Sequence, residues 1–283
     1  MTTSEANLFL RNSLTPIYGE REAKAMTAII FDEVMHYSAV DVILRADSLL
    51  PDFVPRKLSE ITARLTAGEP LQYILGVARF HGHRFRVSPA TLIPRPETER
   101  LVDIITDQYA SRTDLRVADL GTGSGCIAIS LALALKFARV TAIDISAEAL
   151  DVARENAVTL RARVNFTLAD ILTMPPPATS CLDIIVSNPP YVCTSEQAQI
   201  EANVLQYEPH SALFVPDDDP LLFYRPIARF AATALAPGGR LFLECNRRFT
   251  PQVAHLLTSH GFTATEQSDQ FGAPRFVIAT KPL

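Results

Sequence analysis

Arg116-Val117-Ala118-Asp119-Leu120-Gly121-Thr122-Gly123-Ser124-Gly125-Cys126-Ile127-Ala128-Ile129 is the stretch whose reading decides the fold. Its first five residues, with Val117, Ala118 and Leu120 apolar, read as a strand, its last four open an apolar helix, and glycine falls at every second position between them. Glycine there allows a tight turn and close backbone approach to a ligand, and the unpaired N–H groups of the helix start can face a carboxylate or phosphate. Dinucleotide enzymes space these glycines Gly-x-Gly-x-x-Gly instead. A glycine turn alone would also suit plain helix–sheet packing, so its neighbours have to decide.

Working outward, strands are expected at 116–120, 139–143, 164–168, 182–187 and 239–245, with helices at 125–135, 147–160 and 221–235. Strand–helix alternation of this kind predicts a parallel sheet covered on both faces. Two late strands, about 262–267 and 275–280, lack an intervening helix and predict an antiparallel hairpin at the sheet edge. Upstream, apolar residues recur at helical spacing through Ala25, Ile29, Ile30 and Val34 and through Leu58, Ile61 and Leu65. Residues 1–70 therefore read as a small domain of four or five helices, with Pro16, Pro51 and Pro55 as breaks between them. Residues 71–96 read as a connector with a short β-hairpin around Phe85 and Val87, followed by a proline-rich, apolar stretch that docks rather than dangles. A helix from Glu97 to about Tyr109 then opens the domain 97–283, its acidic residues placed where the helix dipole favours them.

Composition narrows the possibilities. The formal charge is −5, and 48% of residues are hydrophobic, an ordinary globular balance. The chain lacks the 18 or so consecutive apolar residues of a membrane span, residues 126–135 coming nearest, and opens without a basic flank or apolar signal core. Four scattered cysteines with no Cys-x-x-Cys argue against a zinc ribbon or disulfide scaffold. A cytoplasmic protein is expected, with monomer as the default. Net positive charge falls on one short segment, residues 71–100, with Arg79, Arg84, Arg86, Arg95 and Arg100, too small for a nucleic-acid cradle. No metal site is expected: His81 and His83 lack a third ligand, and residues 217–219 lack the other ligands of a calcium loop.

Asp144 ends the second strand of the alternating pattern, placed to accept from ribose hydroxyls. Asp170 follows the third, placed to accept an adenine amino group, with Ile171 over the ring. Together with Asp119, Gly121, Thr122, Gly123, Ser124 and Gly125 they read as a site for S-adenosylmethionine, which has ribose, adenine and a carboxylate but no phosphate. Ser187-Asn188-Pro189-Pro190-Tyr191 ends the fourth strand. Two prolines fix that backbone and remove two donors. What remains are acceptors, the Asn188 side-chain oxygen and the Pro189 carbonyl, able to hold both N–H bonds of a planar amino group, with Tyr191 placed against its face. Asn188, Pro189 and Tyr191 are the expected catalytic residues, and Asn188 to Tyr191 the expected substrate site.

With these motifs the chain resembles the class I S-adenosylmethionine-dependent methyltransferases, and more narrowly the peptide chain release factor glutamine methyltransferases, the HemK/PrmC family. The resemblance runs through Glu69-Pro70-Leu71-Gln72-Tyr73-Ile74-Leu75-Gly76, Leu92-Ile93-Pro94-Arg95-Pro96-Glu97-Thr98-Glu99, the glycine loop, Ser187 to Tyr191, and Glu208-Pro209-His210-Ser211-Ala212-Leu213. It implies an α/β fold with a Rossmann-like, mostly parallel sheet and an all-helical N-terminal domain that helps dock the substrate. The activity implied is methylation of the side-chain amide nitrogen (N5) of the glutamine in the Gly-Gly-Gln loop of bacterial class 1 release factors, with S-adenosyl-L-homocysteine as product. Carried over by position, Gly121 to Gly125, Asp144, Ile171 and Asn188 contact the cofactor, and Arg95 and Thr98 reach its pocket. The chain departs from the family pattern at Val215 to Asp219, where relatives carry Gly-Gly, at Glu244-Cys245-Asn246 in place of Glu-Ile-Gly, and at Ile171 in place of an aromatic. The rival readings are methylation of adenine or cytosine amino groups in nucleic acid, which calls for a target-recognition domain and a basic face, methylation of a ribosomal-protein glutamine, and a non-catalytic adapter. The acidic N-terminal domain weighs against direct DNA binding.

Overall fold

Thr2 caps the first helix, α1 (Thr3–Met35), by accepting from the Glu5 amide while the Glu5 carboxylate accepts from the Thr2 amide, a reciprocal pair that satisfies two donors at the helix start. Helices α2 (Ala39–Leu44), α3 (Phe53–Thr66) and α4 (Leu71–Leu75) follow. The computed structural model describes residues 1–175 and 181–283. Pro16 and Pro55 lie within helices and not between them. Pro55 falls in the first turn of α3, where a missing N–H leaves no carbonyl unpaired. Pro16 is accommodated inside α1, and the backbone breaks three residues later at Gly19 (φ 78°, ψ 163°), a conformation open to glycine. Leu71 and Ile74 of α4 are buried in one cluster with Leu10, Leu14, Leu58 and Leu65. That shared core carries the helical unit to Gly76, past the expected boundary at 70. Residues Glu201–Tyr207, which hold the short helix labelled α8 below, join the same unit, and the Tyr207 hydroxyl donates to the Ala67 carbonyl at 3.2 Å.

The second unit comprises Val77–Ile200 and Glu208–Leu283. It opens with the hairpin β1 (Val77–Phe80) and β2 (His83–Arg86), joined by His81 (φ 48°) and Gly82 (φ 76°), the two-residue turn with both φ positive that matches strand twist. Helix α5 (Pro96–Tyr109) starts on a proline with Glu97 and Glu99 in its first turn. Then come β3 (Arg116–Leu120), α6 (Cys126–Ala134), β4 (Arg139–Asp144), α7 (Ala147–Leu160), β5 (Val164–Leu168), β6 (Leu182–Ser187) and β7 (Val192–Cys193). After α8 (Ala202–Tyr207), which belongs to the helical unit, run β8 (Phe214–Val215), α9 (Tyr224–Ala234), β9 (Leu235–Glu244), α10 (Thr250–Ser259), β10 (Thr263–Ser268) and β11 (Pro274–Thr280).

The seven-stranded sheet has the order β10-β11-β9-β6-β3-β4-β5. Its five strands from β9 to β5 are parallel, and β10 and β11 form the antiparallel edge. Alternate residues of each central strand feed opposite cores: Val117, Ile184, Val186 and Phe242 lie with α5 and α6, and Ala118, Ile185, Leu241 and Leu243 with α9 and α10. Burial on both faces explains why these strands read as apolar runs. Strand β9 begins at Leu235, four residues before expectation, because Ala236-Pro237-Gly238-Gly239 is absorbed as an irregularity between the Leu182–Leu235 and Ile184–Arg240 pairings. The sequence shows a turn there; the neighbouring strand makes it part of the sheet.

Candidate active site

Strand order reverses between β3 and β6, and in open α/β sheets ligands bind beyond the C-terminal ends of the strands at such a point. The glycine loop leaves β3 and the Asn188 turn leaves β6. These strands are in register, Leu120 opposite Ser187, and the Ser187 hydroxyl donates to the Leu120 carbonyl at 2.6 Å. Two motifs far apart in sequence thus become adjacent walls of one cavity of about 470 Å³, a volume in the range of small-molecule sites.

The cavity is lined by Gly121, Thr122, Gly123, Ser124, Asp144, Asp170, Ile171, Asn188, Pro189 and Pro190 of the expected residues, together with Arg95 and Thr98. Gly121 (φ 75°) and Gly123 (φ 54°) take the left-handed backbone, and a Cβ on either would meet nothing within 4 Å. Their requirement is conformational, and the space beside them stays open. Asp144 Oδ2 accepts from the Gly123 amide (2.8 Å) and Oδ1 from the Ser146 amide (2.9 Å), which leaves each oxygen capacity for one more donor. Asp170 Oδ1 accepts from the Leu172 amide at 2.8 Å. Asp144, Glu148 and Asp170 are the acids of the lining and Arg95 its base, so negative charge predominates.

Three expected residues do not line the cavity. Asp119 is fully buried beneath the loop. Its Oδ2 accepts from the Thr122 hydroxyl (2.6 Å) and the Ala128 amide (3.2 Å), while Oδ1 has no partner. Burial pushes its pKa up to about 7, the two donors opposing and Asp144 adding to the rise. Asp119 therefore braces the loop from below. Gly125 (φ 80°) caps α6, and a Cβ there would stand 3.0 Å from Ala153 Cβ and Ile129 Cδ1, so it serves the packing of α6 on α7. Tyr191 turns inward: its hydroxyl donates to Glu244 Oε1 at 3.0 Å, and Arg275 lies over its ring at 6.0 Å. Burial, then the nearby Glu244 carboxylate, pushes its phenol well above the ordinary range.

Two residues that carry the site's geometry were not among those expected. Glu208 is buried; its Oε2 accepts from the Ile93 amide (3.1 Å) and its Oε1 pairs with Arg95 (2.6 Å). It fixes residues 92–95 of the connector as a cavity wall. Glu244, at the end of β9, is 1% exposed. It accepts from Tyr191 and, through Oε2, from the Thr98 hydroxyl at 2.7 Å, and Thr98 Oγ1 in turn accepts from Asn188 Nδ2 at 3.1 Å. Burial raises the Glu244 pKa, against the two hydroxyl donors and Arg275. The sequence signal was a lone acid closing an apolar strand, legible as unusual but not as connected to Asn188. Asn246, one of the departures from the family pattern, donates to the Tyr191 carbonyl (3.2 Å) and to Glu196 Oε2 (2.7 Å), so it steadies the same turn from its far side.

The remaining candidates have local roles. His81 sits in the β1–β2 turn, its amide donating to Glu99 Oε1 at 2.9 Å. Asp217 accepts from the Ser195 amide and hydroxyl (3.0 and 2.7 Å), and Asp219 pairs with Arg225. Cys126, Cys193 and Cys245 are buried. Among the described residues no three His, Cys, Asp or Glu side chains group as metal ligands, and no helix is long and apolar enough to cross a membrane.

Two family models match the chain: the methyltransferase small domain over residues 97–209 and the PrmC N-terminal domain over residues 10–76. A release factor glutamine methyltransferase of Bacteroides thetaiotaomicron is 43% identical over 274 residues, covering 96% of this chain and 98% of that one. One from Flavobacterium psychrophilum is 40% identical over 269 residues, 94% of each chain. Among solved structures, a methyltransferase from Pyrococcus furiosus is 17% identical and covers 80% of this chain and all of its own, with a TM-score of 0.53; that likeness is one of fold.

Proposed function

The chain belongs to the release factor glutamine methyltransferase family, and on that premise we propose that it transfers a methyl group from S-adenosyl-L-methionine to the side-chain amide nitrogen (N5) of the glutamine in the Gly-Gly-Gln loop of bacterial class 1 release factors. The observation that carries this reading is the state of Asn188. Its Nδ2 is committed to Thr98, its Oδ1 has no partner among the described residues, and Asn188 and Pro189 both line the cavity, so in this reading Oδ1 and the Pro189 carbonyl serve as the acceptors. Two acceptors match the two N–H bonds of a carboxamide. An amide nitrogen is a poor nucleophile because its lone pair is delocalised. Acceptors on both N–H bonds orient that lone pair and favour the tetrahedral, positively charged nitrogen that develops during transfer. Pro189 and Pro190 hold the turn rigid, so little reorganisation accompanies the reaction.

The cavity residues fit the cofactor. Backbone at Gly121 and Gly123 leaves room for close approach, Asp144 has lone pairs left for ribose hydroxyls, and Asp170 with Ile171 suits an adenine. The excess of carboxylates in the lining favours a sulfonium cation and disfavours phosphates. Bound there, S-adenosylmethionine supplies an electrophilic methyl whose bond to sulfur breaks as the carbon–nitrogen bond forms. The methylated, cationic amide is strongly acidic and sheds one nitrogen proton to water, so no strong base is required. In this reading the helical unit helps to dock the factor, and the enzyme acts as a cytoplasmic monomer with no direct hold on DNA.

The test is a transfer assay with isotopically labelled S-adenosylmethionine, offering purified release factor, the same factor with Gly-Gly-Ala in its loop, bulk RNA and duplex DNA. Label on the loop glutamine, lost in the alanine variant, supports the reading. Label on nucleic acid alone would keep the Asn188 chemistry and overturn the substrate.

A further inference from the structure

Resting on the function proposed above, we infer that Thr98, held by the buried carboxylate of Glu244, is a positioning residue that fixes which end of the Asn188 amide faces the substrate. A side-chain amide has a donor end and an acceptor end of nearly equal shape, and rotation by half a turn exchanges them. For a glutamine N–H₂ group the two ends are opposite in effect: Oδ1 accepts from it, whereas Nδ2 would set donor against donor. Something must hold the choice.

The hydrogen bonds supply a directional chain. Glu244 as a carboxylate only accepts, and its two oxygens take the hydroxyls of Thr98 (2.7 Å) and Tyr191 (3.0 Å). A threonine hydroxyl has one proton. With that proton on Glu244, Thr98 Oγ1 can only accept toward Asn188, and the atom it accepts from is Nδ2 at 3.1 Å. The acceptor end of Asn188 is thereby left for the cavity. The chain joins the first turn of α5, the end of β9 and the turn after β6, and both Thr98 and Glu244 are buried, at 3% and 1% exposure. Water therefore does not compete for these partners. The Glu244 backbone is fixed as well, since its carbonyl accepts from the Tyr224 hydroxyl at 3.1 Å. A carboxylate placed only to stabilise the fold would need no such ordered run of donors ending at a cavity-facing amide.

The experiment compares wild type, Thr98→Val and Thr98→Ser against release factor carrying either the loop glutamine or a glutamate in its place. Turnover on the glutamine factor and binding of both factors are measured. Valine keeps the shape and removes the hydroxyl, so Asn188 can rotate. The expected result is a kcat lower by about 10-fold to 100-fold, the scale of a misoriented reacting group, with KM for the factor changed less than kcat. Binding preference for glutamine over glutamate should also fall by about 10-fold, because a rotated amide offers its N–H₂ to the carboxylate. Serine, which can both donate to Glu244 and accept from Asn188, should restore both properties. If the valine variant does not fold, Thr98→Ala removes the same hydroxyl without the added methyl. Unchanged kcat and unchanged glutamine preference in a folded hydroxyl-free variant would overturn the inference, as would equal losses in the serine variant. Failure of the wild type to methylate the factor would instead overturn the function proposed above.

Discussion

In the proposed reading the transfer chemistry rests on Asn188 and the cofactor affinity on Asp144, two residues of the cavity lining, and substitution separates them. Asn188→Ala removes the acceptor and leaves the glycine loop untouched. Transfer to release factor is expected to fall at least about 100-fold, on the scale of a lost preorganised electrostatic contact, while affinity for S-adenosyl-L-homocysteine by titration calorimetry stays within a few-fold. Equal losses in both would make Asn188 a cofactor or structural residue. Asp144→Ala should do the reverse. It removes the acceptor of the Gly123 and Ser146 amides along with a charged hydrogen-bonding group for a ribose. Cofactor affinity should drop by roughly 1.5–3 kcal/mol, seen in the same calorimetric titration, and unchanged affinity would refute the ribose assignment.

At the scale of the loop and its helix, the glycines divide into two kinds. Gly121 lies in open space and needs only its left-handed backbone, whereas Gly125 has the same backbone and no room besides. Gly125→Ala should therefore lower stability by roughly 2–4 kcal/mol, adding backbone strain to overpacking between α6 and α7. Gly121→Ala should cost only about 1–2 kcal/mol in backbone strain but weaken cofactor binding by filling the cavity edge. Chemical denaturation and calorimetric binding on the two variants check the contrast, and equal behaviour would show that the loop responds as one body. The proline-rich connector is fixed by the same kind of tertiary requirement: Glu208 satisfies the Ile93 amide and Arg95 together, so a stretch poor in donors becomes a wall.

For the whole molecule, the buried Asp119 makes stability depend on pH. Burial holds its folded pKa at about 7, above the ordinary aspartate value of 3.8, so between those values the native state binds the extra proton. The stability this contributes is complete below about pH 4 and is lost as pH rises through 7. Asp119→Asn keeps an acceptor for Thr122 and Ala128 without the titration. The stability of the variant relative to wild type is expected to rise between pH 4 and pH 8, by up to roughly 4 kcal/mol from the size of the shift. Denaturant unfolding of both proteins at several pH values measures it, and a pH-independent difference would mean that Asp119 is ionised throughout.

The period of the apolar residues, the turn residues between them and the glycine loop determined the parallel sheet, its edge hairpin and the helical N-terminal region, because backbone hydrogen bonding and one-sided burial act over a few residues at a time. That Gly121, Gly123, Asp144 and Asn188 line the cavity was legible for the same reason: each follows or closes a strand, where the α/β layout puts ligands. Asp119, Gly125 and Tyr191 looked alike in sequence and proved to brace, pack or anchor, since whether a side chain at a strand end points up or down is settled by what lies beneath it. Glu208 and Glu244 stood in stretches already singled out, but their roles could not be read. Their meaning lies in partners 115 and 146 residues away, Ile93 and Thr98, which only the closed sheet brings within hydrogen-bonding distance, and a buried carboxylate persists only where such donors meet it.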